Sequence, residues 1–375
     1  MTDLAIFLTD LAGGGAERVM INLAEGFAER GYAVDLVLAK RQGPYLSGLS
    51  ARLNVIDLAA SRLIRSIPGL VRYLRRARPR AMLSALNDAN VIAILAARLA
   101  RVPTRILITE HSHVSEGAKH ETSLKRRLTP WLVGLFYNHA DRVIAVSHGV
   151  EDDLHCLGVA PERIRTIYNP IVTPALRRQL CETPDHPWLA GIGVPVILGI
   201  GRLCVQKNFA LLIRACAAVR RQQKVRLIIL GEGEERPRLE RLIAALDLGS
   251  AVALPGFVTN PAAFLRGAAV LAVSSRVEGF GNVLVEALAA GTPVVSTDCV
   301  CGPAEILPDR RYGRLVPMDD VQAMARAILD VLKGPPPDQD LLRQRAEDFA
   351  LDRILDQYAG ACFDSLERND CEPFP

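Results

Sequence analysis

The chain has 375 residues, of which 50% are hydrophobic and 23% are charged, and its formal net charge is +4 at pH 7. This length predicts two or three domains, and the composition is ordinary for a soluble globular protein, so we expect no disorder on the scale of a domain. The N-terminus, MTDLAIFLTD, has an acid where a signal peptide carries basic residues, and no apolar run reaches the ~18 residues of a membrane span. We therefore expect a cytoplasmic protein without a transmembrane helix.

Short apolar runs alternate with amphipathic stretches in the first half of the chain. LAIFLT (4–9) predicts a strand, and a glycine-rich loop leads from it into a helix that ends at Gly31. Further strands are predicted at 33–39, 80–86, 104–110 and 141–147. This alternation is typical of a parallel sheet covered by helices on both faces.

The alternation restarts after 182–195, a stretch rich in proline and glycine that predicts a linker. In the second half, strands are predicted at 196–203, 225–233, 251–258, 269–275 and 292–298. A second break, KGPPPDQD, precedes an amphipathic stretch with helical spacing. We therefore predict two α/β domains, at 1–182 and 183–348, and a C-terminal helix within 349–375.

The first predicted strand is followed by DLAGGGAERV, with glycine at positions 13, 14 and 15. In open α/β sheets, ligands bind at the carboxyl ends of the strands. Glycines let the backbone approach a ligand, and the start of the next helix offers N–H groups to an anion. A tight turn is the alternative, but three consecutive glycines exceed what a turn requires.

Two common nucleotide motifs are excluded. LGEGEERPRLE has Gly231 and Gly233 but Arg236 at the sixth position, so it is not a dinucleotide fingerprint, and no Gly-Lys-Ser/Thr occurs for a phosphate loop. GIGRLCVQKN instead places Arg202 and Lys207 just after a predicted strand. Two cations with no acid between them suit a diphosphate.

The stretch SSRVEGFGNVLVEALAAGTPVVSTD (274–298) holds two acids eight residues apart. Glu278 is predicted in a loop at a strand end, and Glu286 lies about one turn into the following helix. Each carboxylate can accept hydrogen bonds from neighbouring hydroxyls, Glu286 from a ribose and Glu278 from a sugar ring. The alternative is an ordinary helix start with solvated acids.

The stretch 61–80 contains seven arginines and no acid, and Lys125-Arg126-Arg127 adds to the basic charge. Two readings stay open: a solvated helix face, or a surface that contacts anionic lipid at the inner face of the cell membrane. No binding motif for nucleic acid accompanies the charge, so we expect none.

Metal ligands are not expected. The eight cysteines are scattered, and Cys299 and Cys301 form a close pair that no second pair or histidine cluster completes into a zinc site. The one Asp-x-Asp, Asp338-Gln-Asp340, lies in a proline-rich break and not at a strand end.

The chain resembles glycosyltransferase family 4, which consists of retaining enzymes with the GT-B fold. The motifs that carry the resemblance are, in order, GGGAERV, TEHS, VIAVSHGV, IYNP, GRLCVQKN, LGEGEE, LPGFV, EGFGNVLVEALAAGTPVVSTD and GPAEIL. It implies two Rossmann-like domains that face each other across a cleft, and a C-terminal helix that crosses back onto the first domain. The first domain would bind the acceptor and the second the nucleotide-sugar donor.

The resemblance also implies roles for individual residues. The Gly13, Gly14 and Gly15 amides would meet the donor diphosphate, which Arg202 and Lys207 would clamp as the leaving group. His111 would lie beside the donor sugar near its primary hydroxyl, and Glu278 would hold the sugar hydroxyls. The other donor-binding residues would be Phe257 and Val258 near the base, Gly279, Phe280 and Gly281 in the loop, Asn282 and Val283 at the helix start, and Glu286 at the ribose.

The resemblance thus implies a retaining, metal-independent and cofactor-free glycosyltransferase, in which the leaving phosphate itself takes the proton of the attacking hydroxyl. LITEHS and STDCVCGPAEIL are similar to bacterial enzymes that build polyprenyl-linked or cell-envelope glycans. We expect transfer of a hexose or N-acetylhexosamine from a UDP-sugar to such an acceptor. The alternatives are a UDP-sugar epimerase of the same fold and a non-catalytic subunit that binds a sugar nucleotide.

Overall fold

The computed structural model describes residues 2–119, 127–190 and 193–364. Within these residues, the first sheet contains β1 (Leu4–Leu8), β2 (Val34–Leu38), β3 (Asn54–Asp57), β4 (Ala81–Ala85), β5 (Arg105–Glu110), β6 (Arg142–Ala145) and β7 (Ile164–Thr166). All pairings are parallel, in the order β3-β2-β1-β4-β5-β6-β7. The strand order reverses between β1 and β4, where a ligand crevice is expected.

The helices of this part are α1 (Gly15–Glu29), α2 (Ile67–Ala77), α3 (Asn87–Ala100), α4 (Val114–Lys119), α5 (Thr129–Phe136), α6 (His148–Cys156) and α7 (Pro174–Leu180). Helix α1 shows why they cover the sheet: Val19, Met20, Leu23 and Phe27 recur at helical spacing and are fully buried. Every residue of β1, β2 and β4 is buried as well, as in a sheet with helices on both faces.

The second sheet contains β8 (Val196–Ile200), β9 (Arg226–Leu230), β10 (Val252–Gly256), β11 (Val270–Val273), β12 (Val294–Thr297) and β13 (Arg314–Val316). It is also parallel, in the order β10-β9-β8-β11-β12-β13, and reverses between β8 and β11. Its helices are α8 (Phe209–Arg220), α9 (Arg236–Ala245), α10 (Pro261–Gly267), α11 (Asn282–Ala290), α12 (Pro303–Ile306), α13 (Val321–Lys333) and α14 (Gln339–Ala346).

The chain passes between the two sheets twice, and the two crossings are hydrogen-bonded to each other. The amides of Ile171 and Val172 donate to the Phe349 carbonyl at 3.0 and 3.1 Å, and the Leu351 amide donates to the Val172 carbonyl at 3.0 Å. After the first crossing, α7 packs against α10 and α11 of the second sheet. The boundary drawn at 182 stays a prediction.

The last described helix, α15 (Leu351–Phe363), lies on the first sheet's α1. Gly26 permits the close approach, since a Cβ at that position would lie 2.6 Å from Leu355 Cδ1. Asp356 pairs with Arg30 at 2.6 Å, and the Phe363 ring stacks on Tyr32 with centroids 5.1 Å apart. The crossing back onto the first domain, expected from the resemblance, is therefore present.

In the described part of the chain, no helix is both long enough and apolar enough to span a membrane.

Candidate active site

The loops after the strand reversals of the two sheets face each other. The Asn282 side-chain nitrogen at the start of α11 lies 3.5 Å from the Gly15 carbonyl, and its Oδ1 accepts from Asn169 at 2.8 Å. A Cβ on Gly13 would lie 3.8 Å from the Phe257 ring. The structure thus brings together predicted residues from the loops of the first sheet and of the second sheet.

Lys207 and Glu278 form an ion pair, with Nζ 2.6 Å from Oε1. Ser275 Oγ donates to the same oxygen at 2.6 Å. The Glu278 side chain is only 9% exposed, so the pair is shielded from water. In the part of the chain that is described, Oε2 has no protein hydrogen-bond partner, which leaves it able to accept from a ligand hydroxyl.

Gly279 explains how this loop comes so close to the first domain. A Cβ at this position would lie 1.9 Å from the His111 carbonyl oxygen. Any side chain here would force the two domains apart. Gly281 has a different reason to be glycine, because it adopts φ 97° at the start of α11, a conformation that other residues rarely take.

His111 follows β5, and its Nε2 lies 3.0 Å from Thr109 Oγ1. The single hydroxyl proton of Thr109 is donated to the Ser84 carbonyl at 3.0 Å, so we assign the ring proton to Nε2 and a free lone pair to Nδ1. Burial lowers the pKa of His111 to about 4. The imidazole is therefore neutral at pH 7 and able to accept a hydrogen bond.

The half-buried His111 should make stability depend on pH. Because its pKa of about 4 in the folded protein lies below the ordinary 6.5, the unfolded chain binds the proton more readily. Between pH 6.5 and 4 the wild type should lose roughly 3 kcal/mol of unfolding free energy relative to His111→Asn. Urea titrations of both proteins across this range measure the difference, and parallel curves would contradict it.

Glu110 is a site residue that sequence reasoning missed. Its Oε1 accepts from the amides of His111 and Ser112 at 3.1 Å each and from Ser112 Oγ at 2.7 Å. Its Oε2 accepts from Asn87 at 2.7 Å and Tyr137 at 2.8 Å. Burial raises its pKa to about 7, against the effect of these hydrogen bonds. Glu110 thus fixes the backbone that carries His111. The one feature of the sequence that could have indicated Glu110 is the acid in TEHS.

Glu17 is a second missed residue, and it lies in the glycine loop. A Cβ on Gly14 would lie 2.2 Å from Glu17 Oε2, so the carboxyl group covers this glycine. Burial raises the pKa of Glu17, the charge of Asp10 raises it further, and Arg202 lowers it. Arg202 is exposed, and its side chain forms no hydrogen bond or ion pair among the described residues. The sequence signal for Glu17 was the acid in GGGAERV.

The remaining predicted donor residues lie around α11 and β10. Glu286 lies one turn into α11, where burial raises its pKa and the Arg18 charge lowers it. Phe257 is 51% exposed, and Val258 and Val283 are half-buried. Phe280 is 2% exposed and stacks on Tyr168 at 5.4 Å, so its ring lies in the core between the domains.

The residues considered as metal ligands have other partners. Asp338 caps α14 by accepting from the amides of Asp340 and Leu341, both at 3.1 Å, and Asp340 pairs with Arg343. The Cys301 thiol donates to the Glu278 carbonyl at 2.8 Å. No group of three His, Cys, Asp or Glu side chains in the described ranges is placed to hold a metal ion.

Two family models match the chain: Glycosyltransferase Family 4 over residues 13–173, and Glycosyl transferases group 1 over residues 190–349. The matches fall on the two facing sheets, and this fold and site define a GT-B glycosyltransferase. The chain belongs to glycosyltransferase family 4, as its motifs predict.

Curated relatives match over most of their length. A Campylobacter jejuni enzyme named N-acetylgalactosamine-N,N'-diacetylbacillosaminyl-diphospho-undecaprenol 4-alpha-N-acetylgalactosaminyltransferase is 29% identical, covering 89% of this chain and 91% of the relative. The lipopolysaccharide core biosynthesis glycosyltransferase LpsE of Rhizobium meliloti is 26% identical, covering 92% of each. Anabaena HepE, solved with UDP-glucose, has a TM-score of 0.79 at 22% identity, covering 96% of this chain and 99% of HepE, a likeness that confirms the GT-B fold.

Proposed function

We propose that the protein is a retaining, metal-independent glycosyltransferase that moves a hexose or N-acetylhexosamine from a UDP-sugar to a polyprenyl-linked or cell-envelope glycan. The observation that carries the proposal is the shielded Lys207–Glu278 pair, held across the cleft from His111 at facing strand ends. The acceptor class is supported by the name of the Campylobacter relative, and the nucleotide by the UDP-glucose in the HepE structure.

The site chemistry follows from these contacts. Arg202, which is exposed and unpaired among the described residues, and Lys207 would stabilise negative charge on the leaving diphosphate. Glu278 Oε2 and His111 Nδ1 would each accept from a sugar hydroxyl and fix the ring. A diphosphate near Gly14 would lie beside the Glu17 carboxyl, whose pKa is raised by burial.

Retention of configuration is the outcome that membership of family 4 implies, and in that mechanism the leaving phosphate serves as the base in place of a side chain. The acceptor hydroxyl would attack on the face from which the diphosphate departs, and its proton would pass to the leaving phosphate oxygen. The oxygen–sugar bond to the diphosphate breaks as the new glycosidic bond forms, so the step needs neither a metal nor a cofactor.

A thermal-shift screen of UDP-, GDP- and ADP-sugars tests the donor, because a ligand that binds only the native state raises its stability. Release of free UDP then separates the functions. A transferase releases UDP, slowly without acceptor, whereas an epimerase converts the sugar without release and a binding subunit does neither. Stabilisation by no UDP-sugar, or epimerisation without release, would refute the proposal.

We also propose that the protein works at the inner face of the cell membrane, where a lipid-linked acceptor would lie. An open groove beside α2 combines apolar and basic side chains, namely Ile67, Val71 and Leu99 with Arg72, Arg75 and Arg76. Ile64, Leu99 and Trp131 are 58%, 56% and 64% exposed, and they lie on or beside helices α2, α3 and α5, which pack side by side. Such a face suits anionic headgroups over an apolar layer. Lys125 and Arg126 lie outside the described residues.

Binding to anionic liposomes should fall as salt rises, because the attraction is screened. Reversing the charge of Arg72 and Arg76 to glutamate should weaken binding by at least about 2 kcal/mol, since each arginine near the surface contributes about 1 kcal/mol. The matched control reverses Arg238 and Arg241 on α9, both exposed on the other domain. Sedimentation with vesicles measures binding. Equal binding to neutral vesicles, or the same loss in the control, would refute membrane contact.

A further inference from the structure

The loop that carries Glu278 accepts a hydrogen bond from a side chain of the opposite domain, Ser147. Ser147 follows β6 in the first sheet, is fully buried, and donates from Oγ to the Gly279 carbonyl at 2.6 Å. The same Oγ accepts from the Val150 amide at 3.2 Å and so caps α6. The hydroxyl therefore uses its one proton across the domain interface and a lone pair within its own domain.

The carbonyl of the preceding residue, Glu278, accepts a hydrogen bond from within the second domain. The Cys301 thiol donates to the Glu278 carbonyl at 2.8 Å, and a Cβ on Gly149 would lie 2.1 Å from Cys301 Cβ. Two consecutive carbonyls of the loop thus accept from opposite sides of the cleft. The Glu278 carbonyl belongs to the peptide plane that flanks Glu278, and the Gly279 carbonyl belongs to the next plane, so the two hydrogen bonds restrain the backbone at and just after Glu278.

A second contact closes the same interface. The Glu305 carboxylate of the second domain accepts from the amides of His148 and Gly149 at 2.9 and 3.2 Å, in the first turn of α6. A carboxylate is favourable at a helix N-terminus, so this contact stabilises the closed arrangement in which Ser147 reaches Gly279. Opening of the cleft would break both contacts together.

We propose that Ser147 is a positioning residue that makes the donor-sugar site complete only when the cleft is closed. On closure the Ser147 hydroxyl fixes the Gly279 carbonyl, which aims Glu278 at the sugar and keeps its Oε1 against Lys207. When the cleft opens, the hydrogen bond to the Gly279 carbonyl breaks and the Glu278 side chain is no longer held in the orientation that binds the sugar. The inference rests on the proposed donor role of Glu278.

Three substitutions separate positioning from helix capping. Ser147→Ala removes both functions of the hydroxyl, Ser147→Asp keeps a capping oxygen but cannot donate to Gly279, and Ser147→Thr keeps both. We expect kcat for UDP release to fall about 10- to 100-fold in the Ala and Asp variants and to be restored in Thr. The affinity for UDP should be unchanged, while the preference for UDP-sugar over UDP is lost.

Hydrogen exchange of the amides in 276–281 tests the hydrogen bond between Ser147 and Gly279 in the absence of any ligand. We expect faster exchange in the Ala and Asp variants than in the wild type and Thr. Unchanged exchange in Ala, normal turnover in Asp, or equal loss of UDP and UDP-sugar affinity with a lowered Tm would overturn the inference. A wild type that binds no nucleotide sugar would instead refute the proposed function.

Discussion

Lys207→Ala will lower kcat by about 10²- to 10³-fold while weakening donor binding much less, the size expected when one group that stabilises developing charge is removed. The reason is the position of the ammonium group, 2.6 Å from Glu278 Oε1 and only 25% exposed. It already balances one negative charge, and the departing diphosphate would bring another into the same shielded space. Initial rates at saturating donor, with calorimetric donor affinities, measure the two effects separately.

The ion pair calls for two further variants. Glu278→Gln removes the other partner, and the double variant should cost less than the product of the two single losses, because the side chains act as a unit. Lys224→Ala is the matched control, an exposed lysine just before β9 in the same domain. Normal turnover of Lys207→Ala at saturating donor would exclude the leaving-group role.

Glu286→Gln should weaken donor binding by about 1–3 kcal/mol, the loss expected for a charged hydrogen bond. Glu286 lies on the first turns of α11 and is half-buried; burial raises its pKa and the charge of Arg18 lowers it. If it binds the ribose, UDP alone and UDP-sugar should lose affinity equally, whereas changes at Glu278 should weaken UDP-sugar binding more than UDP binding.

Isothermal titration with both ligands tests this contrast. Glu240→Gln on α9, an exposed glutamate in the same domain, is the control and should leave both affinities unchanged. Unaltered affinity of Glu286→Gln for UDP would remove Glu286 from the ribose site.

The strands predicted from sequence are those whose Val, Ile and Leu residues form continuous buried runs, such as β5 and β9. The strands that were missed, β3, β7 and β13, have three or four residues, and each contains polar or charged side chains. All three lie at the edges of their sheets. Their conformation comes from pairing with a neighbouring strand, which a local pattern does not encode.

For the site, sequence predicted which side chains stand at strand ends, and the structure places His111, Lys207 and Glu278 there. It did not predict the groups that hold them. Glu110, Glu17 and Ser147 act through contacts that exist only once the chain has folded, and Ser147 reaches its partner 132 positions away. The ion pair of Lys207 with Glu278 was likewise not predicted, because the two residues lie 71 positions apart in the chain.

The hydrogen-bonded pair of crossings, at 171–172 and 349–351, limits how the two sheets can move. A single connection would let the domains rotate about several axes, whereas two connections that are hydrogen-bonded side by side act as a hinge. The interdomain motion that remains is rotation about this hinge, which opens or closes the cleft. Phe280, in the loop that carries Glu278, packs on Phe349 of the second crossing with ring centroids 5.3 Å apart, so rotation about the hinge is transmitted directly to this loop.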